Sequence, residues 1–102
     1  MYRLDVSDNA EQDLDRIVAY IAEQLDAPMA ATDFSVAVYN CFDNLENNPY
    51  MYEPCRDVKL KREGYRRVVI KNYILLYRIN EEAKIVVAHR FFYGRQNYID
   101  LV

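Results

Sequence analysis

Halfway along the chain the apolar residues stop recurring every three or four positions and begin to alternate. Few architectures accommodate that change of period. Ala10, Leu14, Ile17, Val18, Ile21 and Leu25 share one helical face, which predicts an amphipathic helix over about residues 8–25. Ser7 or Asp8 can cap it, and Asp8 with Glu11 has capping-box spacing. Glu11, Asp13, Asp15 and Glu23 are expected on its opposite, polar face. Asp26-Ala27-Pro28 breaks this helix and starts another, because proline suits a first helical turn. Ala31, Phe34, Val38, Cys41, Phe42 and Leu45 form the second apolar face, and Asn47-Asn48-Pro49 stops it. So short a join predicts an antiparallel helix hairpin.

After Pro54 the spacing is that of strands. Val58–Arg62 alternates apolar and basic residues, Glu63-Gly64 suits a hairpin turn, and Tyr65–Lys71 reads as the next strand. Ile74–Ile79 and Lys84–Tyr93 follow after short turns, and the N-terminal YRLDV reads as one further short strand. Short turns make consecutive strands antiparallel. The expected fold is α+β, a single domain over residues 1–102. An N-terminal strand leads into a helix hairpin packed on one face of a four- to five-stranded antiparallel sheet.

The N-terminus MYRLDV lacks a basic region followed by an apolar stretch, and no run of about 18 apolar residues occurs. The expectation is a cytoplasmic protein that does not enter a membrane. Cys41, Cys55 and one histidine are too few and too scattered for a structural zinc site, so no metal or cofactor is expected. Charge is polarised along the chain. Residues 1–54 hold two cations against eleven carboxylates, whereas residues 55–102 hold eleven cations against five carboxylates. A chain of net charge -3 can therefore still present a basic surface. Ten tyrosines add side chains that bury area while keeping a polar tip, a property of interfaces as well as cores.

With Glu63-Gly64 as a two-residue turn, Lys61 falls opposite Arg66 and Lys59 opposite Val68. Lys59, Lys61 and Arg66 would then share a sheet face. Like charges directly opposed cost stability, so this face suggests an anionic partner such as phosphate, the plainer reading being a solvated edge. In the last strand His89 alternates with Ile85, Val87 and Phe91, the pattern of a packing histidine. Gly94 allows the backbone to bend before Arg95, and Tyr98 can stack on a base or simply pack. Phosphate loops, a G-x-S-x-G elbow and paired carboxylates are absent, so hydrolysis would rest on cationic side chains.

The run VKLKREGYRRVVIKNYILLYRI from Val58 to Ile79 resembles the central strands of RelE/ParE toxins. HRFFYGRQNY resembles their basic tail, and AEQDLDRIVAYIAEQL their first helix, so the likeness covers essentially the whole chain. The resemblance implies a type II toxin neutralised by a cognate antitoxin that wraps it. It implies growth arrest by ribosome-dependent mRNA cleavage as the leading expectation, with inhibition of DNA gyrase without nuclease activity as the alternative. On the cleaving branch, mRNA interferase chemistry would place Lys59, Arg66, Arg95 and Tyr98 in catalysis and Lys61, Arg67 and Arg90 on RNA. Fixed cations would stabilise charge on phosphorus while a base takes the 2′ proton. Asp57 and Gln96 stand where that branch has cations, and the long DLDRIVAYIAEQL helix with the YRR run is closer to gyrase-directed ParE toxins. A scaffold of this type without toxicity is the third alternative.

Overall fold

A computed structural model describes all 102 residues. Strand β1 (Arg3–Val6) leads into helix α1 (Asp8–Ala19), which loosens into a π-helical turn at Tyr20–Gln24. Helix α2 (Pro28–Asn47) follows, then a 3-10 turn at Pro49–Met51 and a short helix α3 (Val58–Arg62). Strands β2 (Tyr65–Ile70), β3 (Tyr73–Asn80) and β4 (Ile85–Tyr93) form a meander, and a second 3-10 turn occupies Ile99–Leu101. No helix is long and apolar enough to cross a membrane.

The helix hairpin forms as its spacing predicts. The Ser7 hydroxyl accepts the Ala10 N–H at 3.0 Å, closing the N-terminus of α1. Pro28 opens α2, and Ala31, Phe34, Val38, Cys41, Phe42 and Leu45 are all buried. These side chains meet Val68, Ile70, Leu75, Tyr77, Val86, Ala88 and Phe91 from one face of the sheet, making the main core. The chain is α+β with four strands in the order β1-β4-β3-β2.

Two expectations are corrected. The sheet is mixed, because β1 pairs parallel to β4, with Arg3 opposite Ile85 and Val6 opposite Ala88. The hairpin and two further strands separate these partners in sequence, and that distance permits a parallel return. Val58–Arg62 is one turn of helix and not a strand. Asp57 accepts the Leu60 N–H at 3.0 Å as an N-cap, and Gly64, at φ +87°, ends the turn in the left-handed region. Glu63-Gly64 thus closes a helix, with Glu63 N–H on the Lys59 carbonyl and Gly64 N–H on that of Lys61. The alternation was deceptive because only Leu60 is anchored, while Val58 is 69% exposed.

Leu60 packs with Cys55, Tyr65, Ile74, Leu76 and Phe92 on the other face of the sheet. The hairpin covers one face. The opposite face carries only α3, the preceding loop and the tail.

Candidate functional site

Because neighbouring residues of a strand point to opposite faces, β2 divides its cations. Arg66 lies on the hairpin side with Val68 and Ile70, and Arg67 lies on the thin side with Tyr65 and Val69. The Arg66 Nη1 donates to the Tyr52 carbonyl at 2.6 Å, and its guanidinium sits 5.1 Å from the centre of the Tyr50 ring. Tyr77 holds this loop by donating its hydroxyl to the Pro49 carbonyl at 2.6 Å. The expected face of Lys59, Lys61 and Arg66 therefore does not form. Lys59 and Lys61 are exposed on α3, over the thin face, and Arg66 points away from them. The register that joined them assumed a strand where the chain makes a helix.

What does converge on the thin side is a shallow groove of about 330 Å³ between β2, the β2–β3 turn and the start of the tail. Arg67, Lys71 and Arg95 contribute its cations. Lys71 adopts φ 56° in the turn, and Gly94 donates its N–H to the Asn72 carbonyl at 2.8 Å, drawing the tail onto that turn. A Cβ on Gly94 would come within 3.1 Å of the Asn72 oxygen, so any side chain there would push the turn and the tail apart by a few tenths of an ångström. The buried Nε of Arg67 has no hydrogen-bond partner. That atom is closed off from solvent, so it is the convergence of the three cations on one groove that can accept an anion. Burial raises the pKa of the neighbouring Cys55 thiol, and the charge of Arg67 pulls it back down.

The remaining residues are structural in their contacts. Tyr98 stacks on Phe92 with ring centres 5.6 Å apart and an interplanar angle of 19°. Arg90, expected on RNA, instead binds Asp13, with Nε 2.7 Å and Nη2 3.2 Å from the two carboxylate oxygens. His89 sits edge-on to Tyr65, with ring centres 5.3 Å apart, and Arg78 stacks 5.0 Å from the same ring. Its pKa is lowered, first by burial and then by the charge of Arg78.

Asp13 is the residue that period reading misplaced. It is 2% exposed, not on the polar face of α1. One carboxylate oxygen accepts the Phe91 N–H at 3.0 Å, just beyond the point where β1 stops pairing with β4. Asp13 thus caps a β4 edge that the short first strand leaves open. The signal was available, since Asp13 lies three residues after Ala10 and four before Ile17, in step with buried positions.

The family model for the ParE toxin of the parDE type II toxin–antitoxin system matches residues 4–98. The chain belongs to the ParE toxin family. No curated protein sequence matches it. Among solved structures, it is similar to a chain of the chromosomal ParDE system of P. aeruginosa, with 18% identity and a TM-score of 0.70 over 91% of this chain and 96% of that one. It is also similar to a chain of the toxin–antitoxin complex RelBE2 of Mycobacterium tuberculosis, with 25% identity and a TM-score of 0.64 over 90% and 96%. YafQ from E. coli shares the fold at 18% identity and a TM-score of 0.57, over 91% and 93%. This ParE-family chain is thus a RelE/ParE superfamily toxin on a fold found in both ParDE and RelBE systems.

Proposed function

We propose that this ParE-family toxin arrests growth by binding DNA gyrase, without cutting mRNA, and that a cognate antitoxin holds it inactive. The position of Arg66 carries this reading. Cleavage by 2′-oxygen attack needs cations and a base converging on one phosphate. The arginine assigned to that phosphate lies on the hairpin side of β2, fastened to the Tyr52 carbonyl at 2.6 Å, while Arg95 and Tyr98 lie on the thin side. The ParE family match supports the same reading. A contact surface for a large target is available on the outer stripe of α2, where Met29, Val36 and Tyr39 are exposed at helical spacing.

A second reading retains mRNA cleavage, and the groove of Arg67, Lys71 and Arg95 is the observation in its favour. In that case Arg67, and not Arg66, would face the scissile phosphate beside Arg95.

Induction in cells separates the two. Mapping of mRNA 5′ ends alongside supercoiling by purified gyrase should give intact transcripts and inhibited gyrase. Tyr39→Ala, on an exposed side chain, should fold normally and weaken inhibition about tenfold. New transcript ends with unaffected gyrase would overturn the proposal and transfer the function to the Arg67 groove.

A further inference from the structure

A larger cavity, of about 730 Å³, opens where the tip of the helix hairpin meets the β2–β3 turn. Tyr20, Ile21 and Phe34 wall it from the hairpin, and Tyr73 and Tyr93 wall it from the sheet. Small side chains at Ala27 and Ala30 leave the space open. The Phe34 and Tyr73 ring centres are 5.2 Å apart, and those of Tyr73 and Tyr93 are 5.6 Å apart. Its volume falls within the range of small-molecule pockets, roughly 300–1,000 Å³.

The backbone around this cavity departs from regular structure at three points. At the end of α1 the Leu25 N–H reaches back five residues to the Tyr20 carbonyl, and the Ala27 N–H reaches back six to that of Ile21. An α-helix would use the carbonyl four residues back, so the π-helical turn widens the hairpin tip. Asp26 follows at φ 49°, and Lys71, across the cavity in the β2–β3 turn, sits at φ 56°. Non-glycine residues in the left-handed region are uncommon and gather at ligand clamps, as π-helical turns gather at functional sites. Here all three border or adjoin one cavity.

Charge selects among ligands. Lys71 and Asp33 are the charged residues of the lining, and Asp33 is exposed on α2. Lys71 also lines the neighbouring groove with Arg67 and Arg95, so three cations outweigh one carboxylate at that end of the mouth. Four aromatic walls suit a flat ring, which packs offset or edge-on against them. We propose that the hairpin-tip cavity is a binding site for a small aromatic acid, with its ring among Tyr20, Phe34, Tyr73 and Tyr93 and its carboxylate at Lys71. This site is independent of the toxin's target, since a gyrase-directed and an mRNA-directed chain would both carry it.

The test uses the full-length protein and three probes of one shape: naphthoate, naphthalenemethanol and naphthylmethylamine. The chain has no tryptophan, so naphthyl fluorescence reports binding directly. Naphthoate should bind with a dissociation constant on the order of 1 mM or tighter. The alcohol should bind about threefold more weakly, as expected for loss of a partly exposed ion pair, and the amine more weakly still. Backbone NMR shifts should move at Ile21, Phe34 and Tyr73. Ala30→Phe, at an exposed helical position, fills the space and should abolish binding of all three probes. Lys71→Asn keeps a residue that tolerates the left-handed turn, and should reduce naphthoate to the affinity of the alcohol without changing the alcohol. Absent shifts, shifts confined to the Arg67–Arg95 groove, or full-strength binding to Ala30→Phe overturns the site. Equal affinity for the three probes overturns its preference for acids. The NMR shifts need no variant of the protein, so a misfolded Ala30→Phe would not weaken the test.

Discussion

The two faces of the sheet are built to different standards. The hairpin face buries a sixteen-residue cluster that joins α1, α2 and all the meander strands. The opposite face buries six residues under a single turn of helix and the tail. Apolar area removed from water sets most of the stability, so the hairpin face should hold the fold together. The thin face instead carries Lys59, Lys61, Arg67, Arg78 and Arg95, groups that gain nothing from a dry core. Most of the dry core thus lies on one side of the sheet and a set of solvent-facing cations on the other, and substitutions on the two sides should differ in kind.

The largest effect should come from the hairpin side. Leu45 is fully buried between α2 and the sheet, and Leu45→Ala should cost about 4 kcal/mol, because two long packed elements cannot close around the void. Asp13→Ala should come next, at about 3 kcal/mol, since it leaves the Phe91 N–H and the Arg90 guanidinium without their acceptor. Asp13→Asn keeps an acceptor for Phe91 and should recover part of the loss. Leu60→Ala on the thin side should cost only about 2 kcal/mol despite 1% exposure, because the one-turn helix can settle into the space. Urea unfolding of the three variants measures the order directly. A Leu60→Ala loss equal to that of Leu45→Ala would show that the thin face shares the load.

The same division explains what could be read in the sequence. The hairpin and the strands β2 to β4 were legible because long stretches repeat one period, and every buried residue of α2 stands where that period puts it. Val58–Arg62 was not legible by alternation, since five residues fit a strand as well as a helical turn. Its cap at Asp57 and its glycine at Gly64 were the better signals. Parallel pairing of β1 with β4 leaves no local trace, because the partner lies some eighty residues away (Arg3 opposite Ile85). The site suffered most. Which of Arg66 and Arg67 faces the groove depends on a shift of one residue, and the shift followed from the misread helix.

The smallest effect concerns acid, and it sharpens the contrast from the thin face, where His89 packs on Tyr65. His89, on β4, sits edge-on to the Tyr65 ring, and burial and then the charge of Arg78 lower its pKa from the ordinary value of about 6.5. The fold thus favours the neutral imidazole. Above pH ~6.5 both folded and unfolded chains are neutral at this residue, and the contribution to stability is complete. As the pH falls below that value the unfolded chain takes up a proton first, so stability drops until the pH reaches the lower, folded pKa. The side chain is only half-buried, which keeps the loss small. His89→Gln should flatten the acid limb of the stability profile between these two pKa values. Arg78→Gln should flatten it less, because burial is the larger cause of the shift. Denaturant midpoints across that range, together with an imidazole titration by NMR, give both readings. A His89→Gln protein with the parent's full acid slope would mean that carboxylates elsewhere account for it, and that the thin face contributes nothing to acid sensitivity.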